Sequence, residues 1–365
     1  MDGVQDWTSM LIAILILSSF ILNFTDIPQK IQFTRYSSVV RRKLMELIEF
    51  EEEGRRKSIK YLKDMNINNP KIIIDNYVDN FFMIFPVERE PTDIIKRLKH
   101  LLRTRDDSVK KYVLDQVPNV SEVDRQKIEV LLELNSVLTY INKVVKHYYN
   151  LGVKFNDWIM MMQLALQINQ IVRLAKAYKD AIDSFGIGAP IGDGAGALAA
   201  RMLLDSVSAT SEIAPETVLY ETSFNGRKLY VIKAKGPGPT VGWPGEALEK
   251  LVESLECKIS RVITIDAALK LESEKSGDVA YGVGAAIGDL GPEKIAMERI
   301  TSKCSVPLDA VVVKMSNEEA INTMTKQIYE GVVKAADVVK NIILNKTREG
   351  ETVVVVGVGN TLGIE

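Results

Sequence analysis

Only Gly3, Gly54 and Gly152 precede position 181, and the other twenty of the 23 glycines follow it. Glycine inside a helix costs about 1 kcal/mol relative to alanine, because it has the most backbone freedom to lose on folding. A glycine-poor first half therefore suits long helices. The glycine-rich second half suits strands joined by tight loops.

From 28 to 183 apolar residues recur at helical spacing among many Lys, Arg and Glu, with breaks at Asn69-Pro70, Pro86 to Pro91 and Pro118. Ser121 is a good N-cap, and Leu131, Leu134, Leu138, Ile141, Val145 and Tyr148 form one apolar seam behind it. A second helix from Asn156 repeats the seam with Met161, Ala165, Ile168, Val172 and Ala175. Residues 150–155 are thus expected to turn an antiparallel helical hairpin. Met160, Met161 and Met162 are consecutive and cannot share one helix face, which favours core filling over a docking surface. The basic stretch Lys96 to Arg105 has two readings, contact with anionic lipid or protein and a solvated helix face.

Thr8 to Phe24 is seventeen residues without a charge, the lower limit for spanning a ~30 Å hydrocarbon core. The expectation is a short extracytoplasmic N-terminus over 1–9 and a transmembrane helix over 10–27. A cleaved signal needs a basic start and a small-residue cleavage site, whereas the flanks here read MDGVQDW and NFTDIP; a buried apolar helix is the other alternative. Asp2 and Asp6 precede the stretch, and Lys30, Arg35, Arg41, Arg42 and Lys43 follow it. Positive flanks stay inside, so the expected location is the cytoplasmic membrane, single-pass, with the C-terminal domain in the cytoplasm.

Residues 184–365 alternate β-rich runs with amphipathic helical stretches, the pattern of an α/β three-layer domain with a mainly parallel sheet. Thr217 to Thr222 and Lys228 to Lys233 flank Phe224-Asn225-Gly226, a hairpin turn. Helices over 245–257, 292–303 and 317–345 lead to strands over 261–266, 309–314 and 352–357. Those strands are Val/Ile runs without alternation, as burial on both faces requires. Lys and Arg number 46 against 48 Asp and Glu, so no overall positive field captures nucleic acid. Cys257 and Cys304 lie far apart and give no disulfide framework, CxxC pair or cysteine-rich zinc site; His100 and His147, both in the helical region, give no multi-histidine metal centre.

The loops after the strands hold the candidate site residues. Asp266 ends a strand where open α/β sheets place ligands, and Asp289 sits in Gly-Asp-Leu-Gly-Pro before a helix. These two are the catalytic candidates, to hold a divalent cation or move protons; capping is the structural alternative for both. Lys235, Gly236 and Gly238 belong to a stiff proline-glycine loop ahead of a helix N-terminus, Lys314 ends the next strand, and Gly357, Gly359 and Asn360 follow the last. These are the ligand-binding candidates, with the lysines neutralising an anion. The loops match neither GxxxxGK[ST] nor GxGxxG. Gly192-Asp193-Gly194 echoes Gly288-Asp289-Leu290-Gly291, as if two such turns faced each other across a cleft.

Pro190-Ile-Gly-Asp-Gly194, the segments 233–247, 264–272 and 282–294, Lys314-Met-Ser316 and Gly357-Val-Gly-Asn-Thr361 together resemble the domain-of-unknown-function family 1512. That resemblance implies an archaeal, membrane-anchored protein and no reaction. The Gly-Asp turns and terminal Val-Gly-Asn are also similar to motifs of the hydrogenase-maturation and spore-germination protease fold, without a histidine to serve as metal ligand. The expected function is a small anionic ligand-binding or hydrolase-like α/β domain. The alternative is a non-catalytic membrane scaffold whose helical region recruits a protein partner.

Overall fold

A computed structural model of the protein describes residues 10–19, 26–80, 93–204, 206–288 and 291–365. The chain divides into two compact units, residues 1–53 with 137–176 and residues 54–136 with 177–365. Its long helices are α1 (Ile27–Asp64), α2 (Pro70–Asn80), α3 (Ile94–Gln116), α4 (Glu122–Phe155) and α5 (Trp158–Ile187).

The transmembrane helix expected over 10–27 is corrected by the structure. No helix among the described residues is long and apolar enough to cross a membrane. Residues 10–19 are helical, and residues 1–9 and 20–25 on either side lie outside the described residues. The next helix, from Ile27, carries Lys30 and Arg35 within its first turns. An uncharged count in sequence does not fix where a helix starts and stops. The expected N-terminus over 1–9 lies outside the described residues.

In the first unit Val40, Leu44, Leu47, Leu138, Val145, Met161, Ile168 and Val172 are buried. The chain turns between α4 and α5 at Asn156, with φ 52°, one residue beyond the expected 150–155. Asp157 caps α5 by accepting the backbone N–H groups of Ile159 and Met160 at 3.0 Å. The unbranched thioether of buried Met161 fills the space beside Gly152, in keeping with core filling.

The second unit holds seven strands: β1 (Ala209–Ala214), β2 (Thr217–Phe224), β3 (Arg227–Ala234), β4 (Arg261–Leu269), β5 (Val279–Val283), β6 (Leu308–Met315) and β7 (Thr352–Gly357). They form one sheet in the order β1-β2-β3-β7-β4-β6-β5. The mainly parallel sheet expected is corrected to a mixed one. β3, β7, β4 and β6 are mutually parallel, while β1-β2, β2-β3 and β5-β6 are antiparallel. For the first three strands the cause is connection length. Only Pro215-Glu216 and Asn225-Gly226 separate the first three strands, and two-residue links cannot carry a parallel crossover. Both Asn225 and Gly226 take positive φ, 44° and 74°, as such a hairpin turn requires.

β4 lies between β7 and β6, with Ile263 opposite both Val355 and Asp309. Alternate residues bury on opposite faces. Leu229, Val231, Ile263, Ile265, Val353 and Val355 pack against α6 (Ala195–Arg201) and α10 (Lys326–Lys346). Tyr230, Ile232, Val262, Val354 and Val356 pack against α7 (Pro244–Ser254) and α8 (Pro292–Lys303). Burial of apolar surface in these two cores stabilises the unit by roughly 25 cal/mol per Å² removed from water.

Two further expectations change. The single helix expected over 317–345 is α9 (Asn317–Ile321) and α10, because Ser316 forms a capping box with Glu319 and Thr325 starts a new helix by accepting the N–H of Ile328. The two cysteines, read as unconnected, form a disulfide across 47 positions. Cys257 follows α7 and Cys304 is the C-cap of α8, two neighbouring helices on one face of the sheet.

Candidate functional site

The break between α9 and α10 is what sets the site. The N–H of Gly192 donates to Asn322 O at 3.1 Å, and that of Met324 donates to Pro190 O at 2.8 Å. These bonds hold the 3-10 turn Gly192–Gly194, from which α6 departs across the carboxyl ends of β4 and β7. Gly196 has no room for a Cβ, which would lie 2.2 Å from Ile265 O. Such close approach brings Asp193, on the turn, beside Asp266, on β4.

Gly359 completes the arrangement. Its φ is 113°, and an added Cβ would lie 1.9 Å from Asp193 O, so only glycine fits. The N–H of Asn360 then donates to Asp193 Oδ2 at 2.9 Å. Asp266 is 5% exposed, and its Oδ1 accepts the N–H of Ala267 at 2.8 Å.

Asp193, Asp266, Gly288, Glu293, Val241 and Gly359 are among the walls of a cavity of about 260 Å³. No Lys or Arg is among the described residues of those walls. Burial first, and then the negative charge of Asp193, push the Asp266 carboxyl up to about 8, against the N–H groups of Ala267 and Gly288. Burial also raises Asp193 above the ordinary carboxylate range, opposed by the Asn360 N–H. Glu293 is raised by burial too, although its Oε2 accepts the N–H groups of Gly245 and Glu246 at 2.8 and 3.0 Å. That carboxylate, from the first turn of α8, thus caps the N-terminus of α7.

The expected residues divide. Asp266 and Gly359 line the cavity, and Asn360 supports it through its backbone. Lys235 Nζ lies 3.4 Å from Glu122 and 3.5 Å from Glu212 at an exposed position, and Lys314 pairs with Glu274; neither lines the cavity. Gly236, Gly238 and Gly357 serve close packing, against Ile364 O, Gln126 Oε1 and Ala200 respectively. Asp289 lies outside the described residues. Asp193 is the residue that sequence reasoning noted as an echo without assigning it a role, and Glu293 it missed outright. The echo was the available signal, because Asp193 and Gly288 do face the same cavity. For Glu293 there was none, since a first-turn Glu satisfies its own helix dipole.

Among the described residues, no group of three or more His, Cys, Asp or Glu side chains is placed to hold a metal ion. A second, larger cavity of about 480 Å³ shares the Val241 wall and is lined by Arg105, Lys110, Glu129, Glu216, Trp243 and Asn360, among others. Two pairs of its charges meet within it, Lys110 with Glu216 at 2.7 Å and Arg105 with Glu133. Burial holds Glu129 up to about 7 against the pull of Arg125.

Family models for the two halves of one protein of unknown function match almost end to end: the DUF1512 N-terminal domain over residues 14–188 and the DUF1512 C-terminal domain over residues 191–365. The chain belongs to the DUF1512 family. No curated protein matches it. In this DUF1512 protein the Asp193 turn, Asp266 and the Gly359 loop all fall within the C-terminal family domain, beginning two residues after its first position.

Proposed function

We propose that the C-terminal domain is a hydrolase-like unit in which Asp193 and Asp266 work as an acid–base pair on a neutral acyl bond, an amide or a peptide. The observation that carries this reading is the meeting of a buried carboxylate, Asp266, and a half-buried one, Asp193, in one small cavity, with Asp266 pushed up to about 8. Two carboxyls that cannot both ionise at neutral pH divide the roles of acid and base between them. Three acidic side chains and no described cation in the walls disfavour an anionic ligand.

In the proposed step, Asp193 takes a proton from a water molecule as the water oxygen bonds to the carbonyl carbon. Asp266 gives its proton to the carbonyl oxygen, which leaves a neutral tetrahedral diol. Return of a proton to the leaving nitrogen, with loss of one hydroxyl proton to Asp266, then breaks the C–N bond. The products are a carboxylic acid and an amine.

The test is incubation of the full chain with a peptide library in H₂¹⁸O, with products read by mass spectrometry. Cleavage with ¹⁸O in the new carboxyl is expected, lost by at least about 100-fold in Asp266→Asn and Asp193→Asn. The rate should fall as pH rises past about 8, where Asp266 loses its proton. An inert wild type, or an undiminished Asp266→Asn variant, sinks the reading and leaves the non-catalytic scaffold in its place.

A further inference from the structure

The helices α7 and α8 are joined at both ends, by different chemistry. At their amino ends Glu293 of α8 holds the Gly245 and Glu246 N–H groups of α7, and Gly242, Pro244 and Glu293 line the carboxylate cavity. At their carboxyl ends they are joined by Cys257–Cys304. α8 has 12 residues, a rigid rod of about 18 Å that connects one joint to the other.

The turns that end both helices hold strained backbone. Each helix closes with an i−5 backbone bond, Cys257 N–H to Val252 O at 3.0 Å and Val306 N–H to Thr301 O at 2.9 Å. This closure puts a residue in the left-handed region where glycine is favoured. Here those residues are Glu256 and Ser305, with φ 52° and 54°, and Cys257 itself has φ 60°. A side chain in that region costs roughly 1 kcal/mol or more and persists only where the surroundings hold it. Cys257 is exposed and Cys304 half-buried, so a thiol reagent reaches the bond from solvent.

We infer that the Cys257–Cys304 disulfide is a thiol-responsive clamp on the α7–α8 pair: closed, it holds Glu293 on the α7 amides and keeps the cavity wall in place, and opened by a dithiol it releases that wall. In the reduction one thiolate of the dithiol attacks Cys257 Sγ, forming a mixed disulfide and releasing Cys304 as thiolate. The second thiol then displaces Cys257. Two electrons pass to the protein, which ends with two thiols after proton uptake, and the reagent ends as a disulfide. As a means of regulation the clamp rests on the acid–base reading of the cavity; as a mechanical link it does not.

The full-length protein is oxidised with glutathione disulfide, and a portion is reduced with dithiothreitol. Thiols are titrated in denaturant, and backbone amide exchange is followed in both states. The expected result is no titratable thiol when oxidised and two when reduced, with exchange at Gly245 and Glu246 faster by about tenfold or more on reduction while β4 and β7 are unchanged. The Cys257→Ser, Cys304→Ser double variant should exchange like the reduced protein with or without dithiothreitol. Thiols that persist after oxidation, or equal exchange at Gly245 and Glu246 in both states, would overturn the clamp. So would a rise spread evenly over the sheet, since that marks a general staple. Asp266→Asn run alongside should keep the response, so an inert acid pair does not disguise the outcome.

Discussion

Asp193 Oδ2 accepts the backbone N–H of Asn360 at 2.9 Å, across 167 positions of sequence. That bond ties the turn before α6 to the loop after β7, and it is what points a second carboxylate into the cavity of Asp266. Its energetic signature is electrostatic, because like charges in a dry site oppose each other's ionisation.

Asp266→Asn should stabilise the protein at alkaline pH. The folded carboxyl titrates at about 8 against an ordinary 3.8, so the native state keeps a proton that the unfolded chain has released. This contribution is fully present below about pH 4 and is lost as pH rises through about 8. Urea unfolding at pH 8.5 should show the variant more stable by about 1–3 kcal/mol, with the gap closing near pH 4. A gap that does not change with pH would show that Asp266 is not a buried acid.

Lys233 should show the opposite slope. It is fully buried, its Nζ donates to Ala234 O at 3.2 Å, and burial, then Arg201, push it down to about 8 from 10.5. A depressed lysine contributes stability present above about pH 10.5 and lost as pH falls through about 8. Lys233→Met removes the titration, so at pH 7 it should equal or exceed the wild type by up to about 3 kcal/mol, and the difference should shrink by pH 10. Thermal melts across that range read the outcome.

Gly359→Ala should cost about 3 kcal/mol, since the new Cβ meets Asp193 O at 1.9 Å and φ is 113°. Gly350→Ala is the control. It also has positive φ, 82°, but open space around it, and should cost only about 1–2 kcal/mol. Equal losses in denaturant unfolding would mean that backbone conformation, not contact with the Asp193 turn, sets the cost.

Asp309→Ala should be among the most destabilising single changes. Asp309 is 3% exposed and binds Arg261 Nη1 at 2.6 Å and Lys346 Nζ at 3.0 Å, at the end of the sheet away from the cavity. Removing it leaves a buried guanidinium uncompensated, which costs about 3–5 kcal/mol. The melting temperature should fall while the Asp266 titration stays in place.

Much of the sheet domain was legible before any coordinates, because the causes are local. Non-alternating Val/Ile runs mark β4, β6 and β7 to within a few residues, and Asn225-Gly226 marks the β2–β3 hairpin. The exposed edge strands β1 and β5 carry no such run, and their antiparallel pairing went unread. The break at Asn322–Thr325 was missed because Ser316 and Thr325 are each ordinary helix caps, inside what otherwise reads as one periodic stretch. The apolar N-terminal run gave a hydropathy count, and a count does not say where a helix ends.

The sequence by itself determined the helical first half, the glycine-rich second half and the central strands, with Asp266 on one of them though three residues short of its end at Leu269 rather than at it, since periodicity, turn chemistry and backbone freedom act over a few residues. Only the tertiary structure decided which distant groups meet: Asp193 with Asp266, Glu293 with the amides of α7, Cys257 with Cys304, and Lys235 and Lys314 with carboxylates outside the cavity. Those meetings depend on how helices cross the sheet at glycine-sized gaps, and packing of that kind leaves no period or spacing in the chain.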